Sequence, residues 1–352
     1  MRKFLKRIAL LGLLALAMNI LLAIVVYSIR PDAFYKHYEV CMLLQKQEAL
    51  LKNPDRYNTI FIGSSKTFRQ VDPVVFDSVI TASTSFNLGQ NGLKAPRNYD
   101  FINQLIQQKS DYEAIFFELI MLDNILDNYQ SDAIIRSINL NRCLQAYEQA
   151  FKNKSLKPEL RFRYLKYYTL ALGYKYIGFS MIKRLKLLLG ILPHENAVDC
   201  ANFDLEQYQG FISMDEEMEM TQQYELVGRR KLFTDHPFKS DLYKGLNDET
   251  INIRNNLVNR EFESHLIQWK AQGLPIYFIV PPRTYAFELD MLGQFKAIAE
   301  NEGFPVFDFS NPAQYPDLHN LENSFDHPHL NKNGARIFTQ LLAEQYLTFS
   351  KN

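Results

Sequence analysis

The chain has 352 residues, of which 47% are hydrophobic and 22% are charged. This length allows one large α/β domain with an insertion, or two domains. Because 39 basic and 39 acidic residues give a formal net charge of zero, no overall positive field would attract nucleic acid, and we exclude that class of partner.

The first 30 residues have the pattern of a single-pass membrane anchor. Four basic side chains among the first seven residues precede an apolar run from Ile8 to Tyr27. A helix of about 20 apolar residues is long enough to cross a bilayer. Because the positive charge comes first, we expect the N-terminus in the cytoplasm and the rest of the chain outside it, in the periplasm or the extracellular space. A signal peptide cleaved near Ala17 is the alternative.

Residues 31–120 show an alternation of helices and short apolar strands. The predicted elements are a helix over 33–51, a strand over 59–62, a short helix from Pro73 with Asp72 as its N-cap, a strand over 84–89, a helix over 95–109 and a strand over 114–119. This alternation predicts a parallel sheet with helices on its faces.

The alternation stops over residues 121–250, where helical patterns at 161–189 and 215–231 predict a helical insertion. It resumes in residues 251–352. The elements predicted there are a helix over 256–272, a strand over 275–280, a helix over 289–302, a strand over 305–309 and a helix over 331–347. The two parts together predict a three-layer α/β/α domain with a five-stranded parallel sheet.

A turn rich in serine follows the first predicted strand. Gly63-Ser64-Ser65 lies where ligands bind in open parallel sheets, beyond the carboxyl end of a strand. A serine acts as a nucleophile only if a base lies near it. Asp326 and His329 stand three residues apart in a polar loop at the other end of the chain. Such a carboxylate can orient the imidazole, which can then take the proton of Ser65.

Alternatives remain open for both the nucleophile and the base. Ser64 is a second candidate nucleophile, and His327 is a second candidate base. A metal site built from Asp326, His327, His329 and His319 is conceivable, but these residues follow no helix or strand period. The three cysteines, Cys41, Cys143 and Cys200, fit neither a metal-ligand spacing nor a disulfide framework. We therefore expect neither a metal nor another cofactor.

The motifs Gly63-Ser64-Ser65, Asn87-Leu88-Gly89 and Asp326-x-x-His329, with Gly334 beyond it, resemble those of the SGNH (GDSL-like) hydrolase superfamily. The chain looks most like the membrane-anchored envelope branch, which includes the D-alanyl-lipoteichoic acid transfer protein and the exopolysaccharide O-acetyltransferases. The resemblance covers residues 59–120 and 274–347, and it implies a flavodoxin-like sheet.

The resemblance also implies roles for single residues. Ser65 would be the nucleophile, His329 the general base and Asp326 its orienting acid, while the backbone N–H groups of Ser65 and Gly89 would form the oxyanion hole. The asparagine that many members carry after the third strand is missing here. Asn87, Asn91 and Asn124 are the candidates to replace it.

Two further side chains at strand ends are candidates for contact with substrate. Glu118 ends the third strand, and a salt bridge to the insertion is the equal alternative. Arg283 follows Pro281-Pro282 after the fourth strand and could bind an anionic group, with a solvated position as the equal alternative. We expect Lys66 and Arg69, just after the serine turn, to lie on the surface.

The sequence as a whole predicts an extracytoplasmic serine esterase or O-acyltransferase. Its acceptor would be a glycan or another polymer of the cell envelope, and an integral-membrane acyltransferase is the candidate partner that supplies the acyl group. A lidded esterase that acts on small or lipid esters is one alternative. A non-catalytic scaffold with the same fold, in an envelope acylation complex, is the other.

Overall fold

The computed structural model describes residues 2–29, 37–53, 55–93, 97–108, 111–120, 138, 140–152, 158–178, 204–235, 262–284 and 286–351. The chain divides into two compact units. The first unit comprises Met1–Val40 and Asp123–Cys200, and the second comprises Cys41–Leu122 and Ala201–Asn352.

The second unit is built on a sheet of five parallel strands. These are β1 (Thr59–Ile62), β2 (Ser85–Asn87), β3 (Ala114–Glu118), β4 (Ile276–Val280) and β5 (Val306–Asp308). Their order across the sheet is β2-β1-β3-β4-β5, and every neighbouring pair is parallel. The prediction of an α/β fold with five parallel strands is confirmed.

Helices connect these strands. The helices of this unit are α2 (His37–Lys52, which enters the unit at Cys41), α3 (Ser65–Gln70), α4 (Pro73–Val79), α5 (Arg97–Gln108), α8 (Met214–Thr221), α9 (Tyr224–Asp235), α10 (Ala286–Asn301), α11 (Pro316–His319) and α12 (Lys332–Ser350), with a further helical stretch over 262–271. The predicted cap of α4 is present, because Asp72 Oδ1 accepts from the Val74 N–H at 3.0 Å. The start of the helix predicted over 256–272 lies outside the described residues.

Helices cover both faces of the sheet because alternate strand residues point to opposite sides. On one face, Ile60, Ile115 and Phe278 pack against α2, α5, α10 and the 262–271 stretch. On the other, Phe61 and Phe116 pack against Phe76 of α4 and Phe338 of α12. The described part of this unit therefore has three layers.

The first unit contains α1 (Arg2–Ile29), α6 (Leu140–Lys152) and α7 (Pro158–Gly173), followed by a π-helical turn (Tyr174–Gly178) that contacts α1. Within the described residues, no helix combines the length and the hydropathy needed to cross a membrane. The membrane span expected over residues 1–30 thus remains a prediction from the charge and hydropathy pattern.

The described part of the expected insertion, 121–250, is mostly helical, with a loop over 204–213, and it is divided between the two units. Residues 123–200 belong to the first unit, whereas 204–235 pack with the sheet. The helix predicted over 215–231 is in fact two helices, α8 and α9. Gln222 separates them with a left-handed φ of 50°. A charge pattern along the sequence cannot reveal such a break.

Candidate active site

The serine turn connects β1 to α3 at the carboxyl edge of the sheet. Ser65 is the first residue of α3, and Ser64 is its N-cap, with Oγ accepting from the Lys66 N–H at 3.1 Å. Strands β1 and β3 are neighbours at the point where the strand order reverses, which is where open α/β sheets bind ligands. The Ser65 hydroxyl therefore lies where the fold is open to a substrate.

The carboxylate of Glu118, at the end of β3, organises this turn. Its Oε2 accepts from the N–H groups of Ser64 (2.7 Å) and Thr67 (3.1 Å) and from the Thr67 hydroxyl (2.6 Å). Its Oε1 accepts from the Ser64 hydroxyl at 2.7 Å. Four donors on two oxygens suit an ionised carboxylate, which only accepts hydrogen bonds. Both oxygens are thus engaged by the turn, and Glu118 also lines the cavity next to Ser65. Its expected contact with substrate stays a prediction.

This bracing leaves one N–H of the turn without a partner. The N–H groups of Lys66, Thr67 and Phe68 are bonded to Ser64 Oγ, Glu118 Oε2 and Ser64 O. Within the described part of the chain, no acceptor is found for the N–H of Ser65. A free backbone N–H beside a candidate nucleophile is one of the donors that can form an oxyanion hole.

Ser65, His329 and Asp326 form one hydrogen-bonded chain. Ser65 Oγ lies 2.8 Å from His329 Nε2, and His329 Nδ1 lies 2.8 Å from Asp326 Oδ1. Asp326 Oδ1 also accepts from the His329 N–H at 2.9 Å. With its proton on Nδ1, the imidazole leaves Nε2 free to accept from the serine. Asn331 caps α12 just beyond, its Oδ1 accepting from the Gly334 N–H at 2.9 Å.

Burial and neighbouring charges set the protonation states of His329 and Asp326. Burial lowers the pKa of His329, and the cations of Arg229 and Lys66 lower it further against the opposing effect of Asp326. Burial alone would raise the pKa of Asp326, but the interactions with His329 and Arg229 outweigh it, so the net pKa is lowered. At neutral pH the pair is therefore a carboxylate and a neutral imidazole.

Helix α9 supplies two arginines to this loop. Arg229 Nη2 forms an ion pair with Asp326 Oδ2 and lies 3.3 Å from His329 Nδ1. Arg230 Nη1 donates to the carbonyls of Ser324 (2.5 Å) and Phe325 (2.9 Å). Sequence reasoning missed both arginines, because α9 carries no recognisable motif.

An open cavity of about 200 Å³ lies beside Ser65. Its walls contain the side chains of Leu93, Leu119, Ile120 and Leu292, together with the ion pair Lys66–Glu288, and Pro328 and His329 close one side. Lys66 Nζ lies 3.1 Å from Glu288 Oε2, and each of these side chains is only 11% exposed. The cavity thus offers a mostly apolar space directly next to the hydroxyl.

No family model, curated protein or solved structure matches the chain. The resemblance to the SGNH hydrolases therefore stays a prediction based on the three quoted motifs.

The asparagine and glycine of the second motif have structural partners. Asn87 Nδ2 donates to the carbonyls of Thr67 (2.8 Å) and Val71 (2.7 Å), while Asn87 Oδ1 accepts from the Gly89 N–H at 2.8 Å. The N–H of Gly89, which we expected in the oxyanion hole, is thus engaged by Asn87. Half-buried Asn91 does not line the cavity, and Asn124 lies outside the described residues.

Arg283 braces the loop that carries Asp326 and His329. Its Nε donates to the His327 carbonyl at 2.7 Å, and its Nη1 donates to Ser324 Oγ at 2.5 Å. It does not line the cavity beside Ser65, and its expected contact with an anionic substrate group stays a prediction.

Neither of the other two histidines considered as candidates joins the triad. His327 stacks edge-on against Phe233 with ring centroids 5.2 Å apart, and His319 Nε2 lies 3.2 Å from the Phe309 carbonyl. Among the described residues, no group of three His, Cys, Asp or Glu side chains could hold a metal ion.

The prediction that Lys66 and Arg69 lie on the surface is wrong. Lys66 is buried in the cavity wall, and Arg69 is buried in an ion pair with Glu217 of α8. Helix α3 is covered by residues far away in the chain, which local composition cannot reveal.

Proposed function

We propose that the protein is a serine-dependent esterase or O-acyltransferase with an SGNH-like active site. The observation that carries the proposal is the chain from Asp326 through His329 to Ser65, whose two links are both 2.8 Å long. The unpartnered N–H of Ser65 and the adjacent cavity support the same chemistry.

In the proposed mechanism, Ser65 Oγ attacks the acyl carbonyl of an ester while His329 Nε2 takes the hydroxyl proton. Asp326 holds the imidazole and stabilises its cationic form. The oxyanion accepts from the N–H of Ser65, and a donor of this kind contributes about 10²–10³ in rate. His329 then returns the proton to the leaving alcohol, and an acyl-enzyme remains on Ser65.

The acyl group then passes to a second hydroxyl. His329 takes a proton from water in an esterase, or from a sugar hydroxyl in a transferase, and the new oxygen attacks the acyl carbon. As the bond to Ser65 Oγ breaks, His329 returns that proton to Oγ and the free serine is restored. We propose an envelope glycan or polymer as the acceptor, with the acyl donor supplied at the membrane by an integral-membrane acyltransferase. This part of the proposal rests on the N-terminal pattern and on the family resemblance.

The alternative of a non-catalytic scaffold would be favoured by a serine and a histidine too far apart to interact. The 2.8 Å contact between Ser65 Oγ and His329 Nε2 weighs against it.

The test compares Ser65→Ala with the wild type. A fluorophosphonate probe should label the wild type on Ser65, as read by peptide mass spectrometry, and short-chain aryl esters should be hydrolysed. Ser65→Ala should lose the label and reduce kcat/KM by at least about 10³-fold. Ser78→Ala is the matched control, since Ser78 is an exposed serine on α4. Ester turnover by Ser65→Ala at the wild-type rate would falsify the mechanism.

A further inference from the structure

We propose that Arg229 is a positioning residue of this site, which holds Asp326 in the orientation that serves His329 and sets the pH at which His329 becomes a base. The inference rests on the proposed function and adds to it a residue outside the family motifs. Arg229 lies on α9, in a segment that the sequence resemblance does not cover.

The geometry divides the two oxygens of Asp326 between two partners. Oδ1 faces His329, through Nδ1 at 2.8 Å and the backbone N–H at 2.9 Å, whereas Oδ2 pairs with Arg229 Nη2. A carboxylate that is held on one oxygen only can rotate about its last torsion, which is broad in aspartate. The guanidinium on Oδ2 opposes that rotation and keeps Oδ1 aimed at the imidazole.

The same contact brings a second cation close to the imidazole. Arg229 Nη2 lies 3.3 Å from His329 Nδ1. Both groups are donors in the active tautomer, so they converge on the carboxylate and do not bond to each other. A positive charge at this distance disfavours the imidazolium form and extends the range of the neutral base to lower pH.

Several other charged or titratable groups face the imidazole or its immediate neighbours. They are Asp326 and His327 from its own loop, Lys66 from α3 with its partner Glu288 from α10, Glu118 from β3, Arg230 from α9 and Arg283 after β4. Asp326 opposes the effect of Arg229, and Lys66 reinforces it. Removal of Arg229 alone leaves Asp326 and Lys66 in place, so His329 should bind its proton more tightly.

Helix α9 has packing of its own that does not depend on Arg229. Leu226 packs with Met214 and Phe325 in a small buried cluster, and Arg230 lies over the Phe325 ring at 5.7 Å. The side chain of Arg229 is 38% exposed, at the rim of the site. A substitution of Arg229 should therefore leave the helix docked, which makes an effect on activity interpretable.

The experiment uses the full chain with Arg229→Gln and Arg229→Lys, and with Lys231→Gln as the matched control. Lys231 lies on the same helix with its side chain 78% exposed, so its loss changes the net charge equally. Three quantities are measured, namely kcat/KM for an aryl ester against pH, the NMR titration of the His329 ring and Tm. The His329 signal is identified by its loss in His329→Gln.

For Arg229→Gln we expect kcat/KM on the alkaline plateau to fall about tenfold, as for the loss of a hydrogen bond to a charged group. The acid limb and the His329 titration should both move to higher pH, by about one unit or less. Arg229→Lys should keep the wild-type acid limb while losing part of the rate, because an ammonium keeps the charge but lacks the planar fork. Lys231→Gln should match the wild type.

Two results would overturn the inference. One is Arg229→Gln with the wild-type rate and the wild-type His329 titration. The other is a loss of rate, together with a lowered Tm, that is the same in both Arg229 variants while the His329 titration does not change. That result is the signature of a merely structural residue. If the wild type shows no Ser65-dependent turnover, the proposed function fails. The NMR titration still decides whether Arg229 controls His329.

Discussion

The turn that carries Ser65 depends on a carboxylate that takes no part in the proposed proton relay. Glu118 is 2% exposed and accepts from four donors of the serine turn, and no cation is recorded against it among the described residues. Gly63 allows the Glu118 carboxylate to lie this close to the turn, since a Cβ at position 63 would lie 2.3 Å from Glu118 Oε2 and 1.9 Å from Thr67 Oγ1. The glycine of the motif is thus required by the carboxylate behind the turn.

Glu118→Gln is expected to weaken both the fold and the reactivity of Ser65. Glutamine replaces one accepting oxygen by an NH₂ group, so at least one donor of the turn loses its partner while it is buried. The free energy of unfolding should fall by about 2–3 kcal/mol, and labelling by fluorophosphonate should slow about tenfold or more. Denaturant unfolding and labelling kinetics measure the two effects.

The matched control for this change is Glu113→Gln. Glu113 is exposed just before β3, and its replacement should change the free energy of unfolding by less than about 0.5 kcal/mol. Equal behaviour of the two variants would contradict the bracing role of Glu118.

Sequence reasoning identified residues whose role is local and missed those whose role arises across the fold. Asp326 and His329 were predicted because both lie in one loop, and Ser65 because it lies in the turn that follows a strand. The role of Arg229 could not be predicted, since its partner Asp326 is 97 positions away and no pattern on α9 points to it.

At the scale of elements, the segment 204–235 connects α3, which carries Ser65, to the part of the chain that carries Asp326 and His329. Arg69 on α3 and Glu217 on α8 form an ion pair with side chains 2% and 1% exposed. Lys332, at the start of α12, contacts Asp215 through its N–H at 2.6 Å and Glu216 through Nζ at 2.5 Å. Both ends of the proposed proton relay are thus tied to α8.

Glu217→Ala is expected to be strongly destabilising. It leaves the Arg69 guanidinium buried without its ion-pair partner, which typically costs about 3–5 kcal/mol. Asp235→Ala is the control, because Asp235 pairs with Lys231 on the exposed side of α9, and such pairs contribute about 1 kcal/mol or less. Urea unfolding of both variants tests the difference. A loss of similar size in the two would show that the buried pair is not needed.

The strands and most helices of the second unit could be predicted from local sequence. Each has its own spacing of apolar residues, and glycine or proline marks many of their ends. The fit of 204–235 against the sheet could not, because it depends on pairs such as Arg69–Glu217, which lie 148 positions apart by their residue numbers. The break between α8 and α9 could not be predicted either. It lies at Gln222, which is left-handed although it is not a glycine.

For the molecule as a whole, every group of the proposed site lies in one of the two units. The triad, the cavity and Arg229 all belong to Cys41–Leu122 or Ala201–Asn352. That unit has buried apolar clusters on both faces of its sheet. Its packing should therefore survive the loss of the segment 123–200.

A variant in which 123–200 is replaced by a Gly/Ser linker of about 15 residues, with a span of about 20 Å, tests this independence. We expect a cooperative unfolding transition and Ser65 labelling within about threefold of the wild-type rate, because the residues of the proposed site and both apolar clusters stay in the remaining unit. The same variant with Ser65→Ala gives the background. A folded variant that no longer labels would show that the removed segment contributes to the site.

The contact of the 204–213 loop with β2 has a consequence for solubility. Strand β2 is at the edge of the sheet, and its outward N–H groups are both occupied, Ser85 by Asp77 Oδ2 at 3.0 Å and Asn87 by the Gln209 carbonyl at 2.8 Å. Gln209 and Gly210, with φ of 49° and 81°, bring that carbonyl into place. An open strand edge is a template for pairing with other chains. The loop therefore covers part of this edge, and we expect its detachment to promote self-association through the uncovered strand.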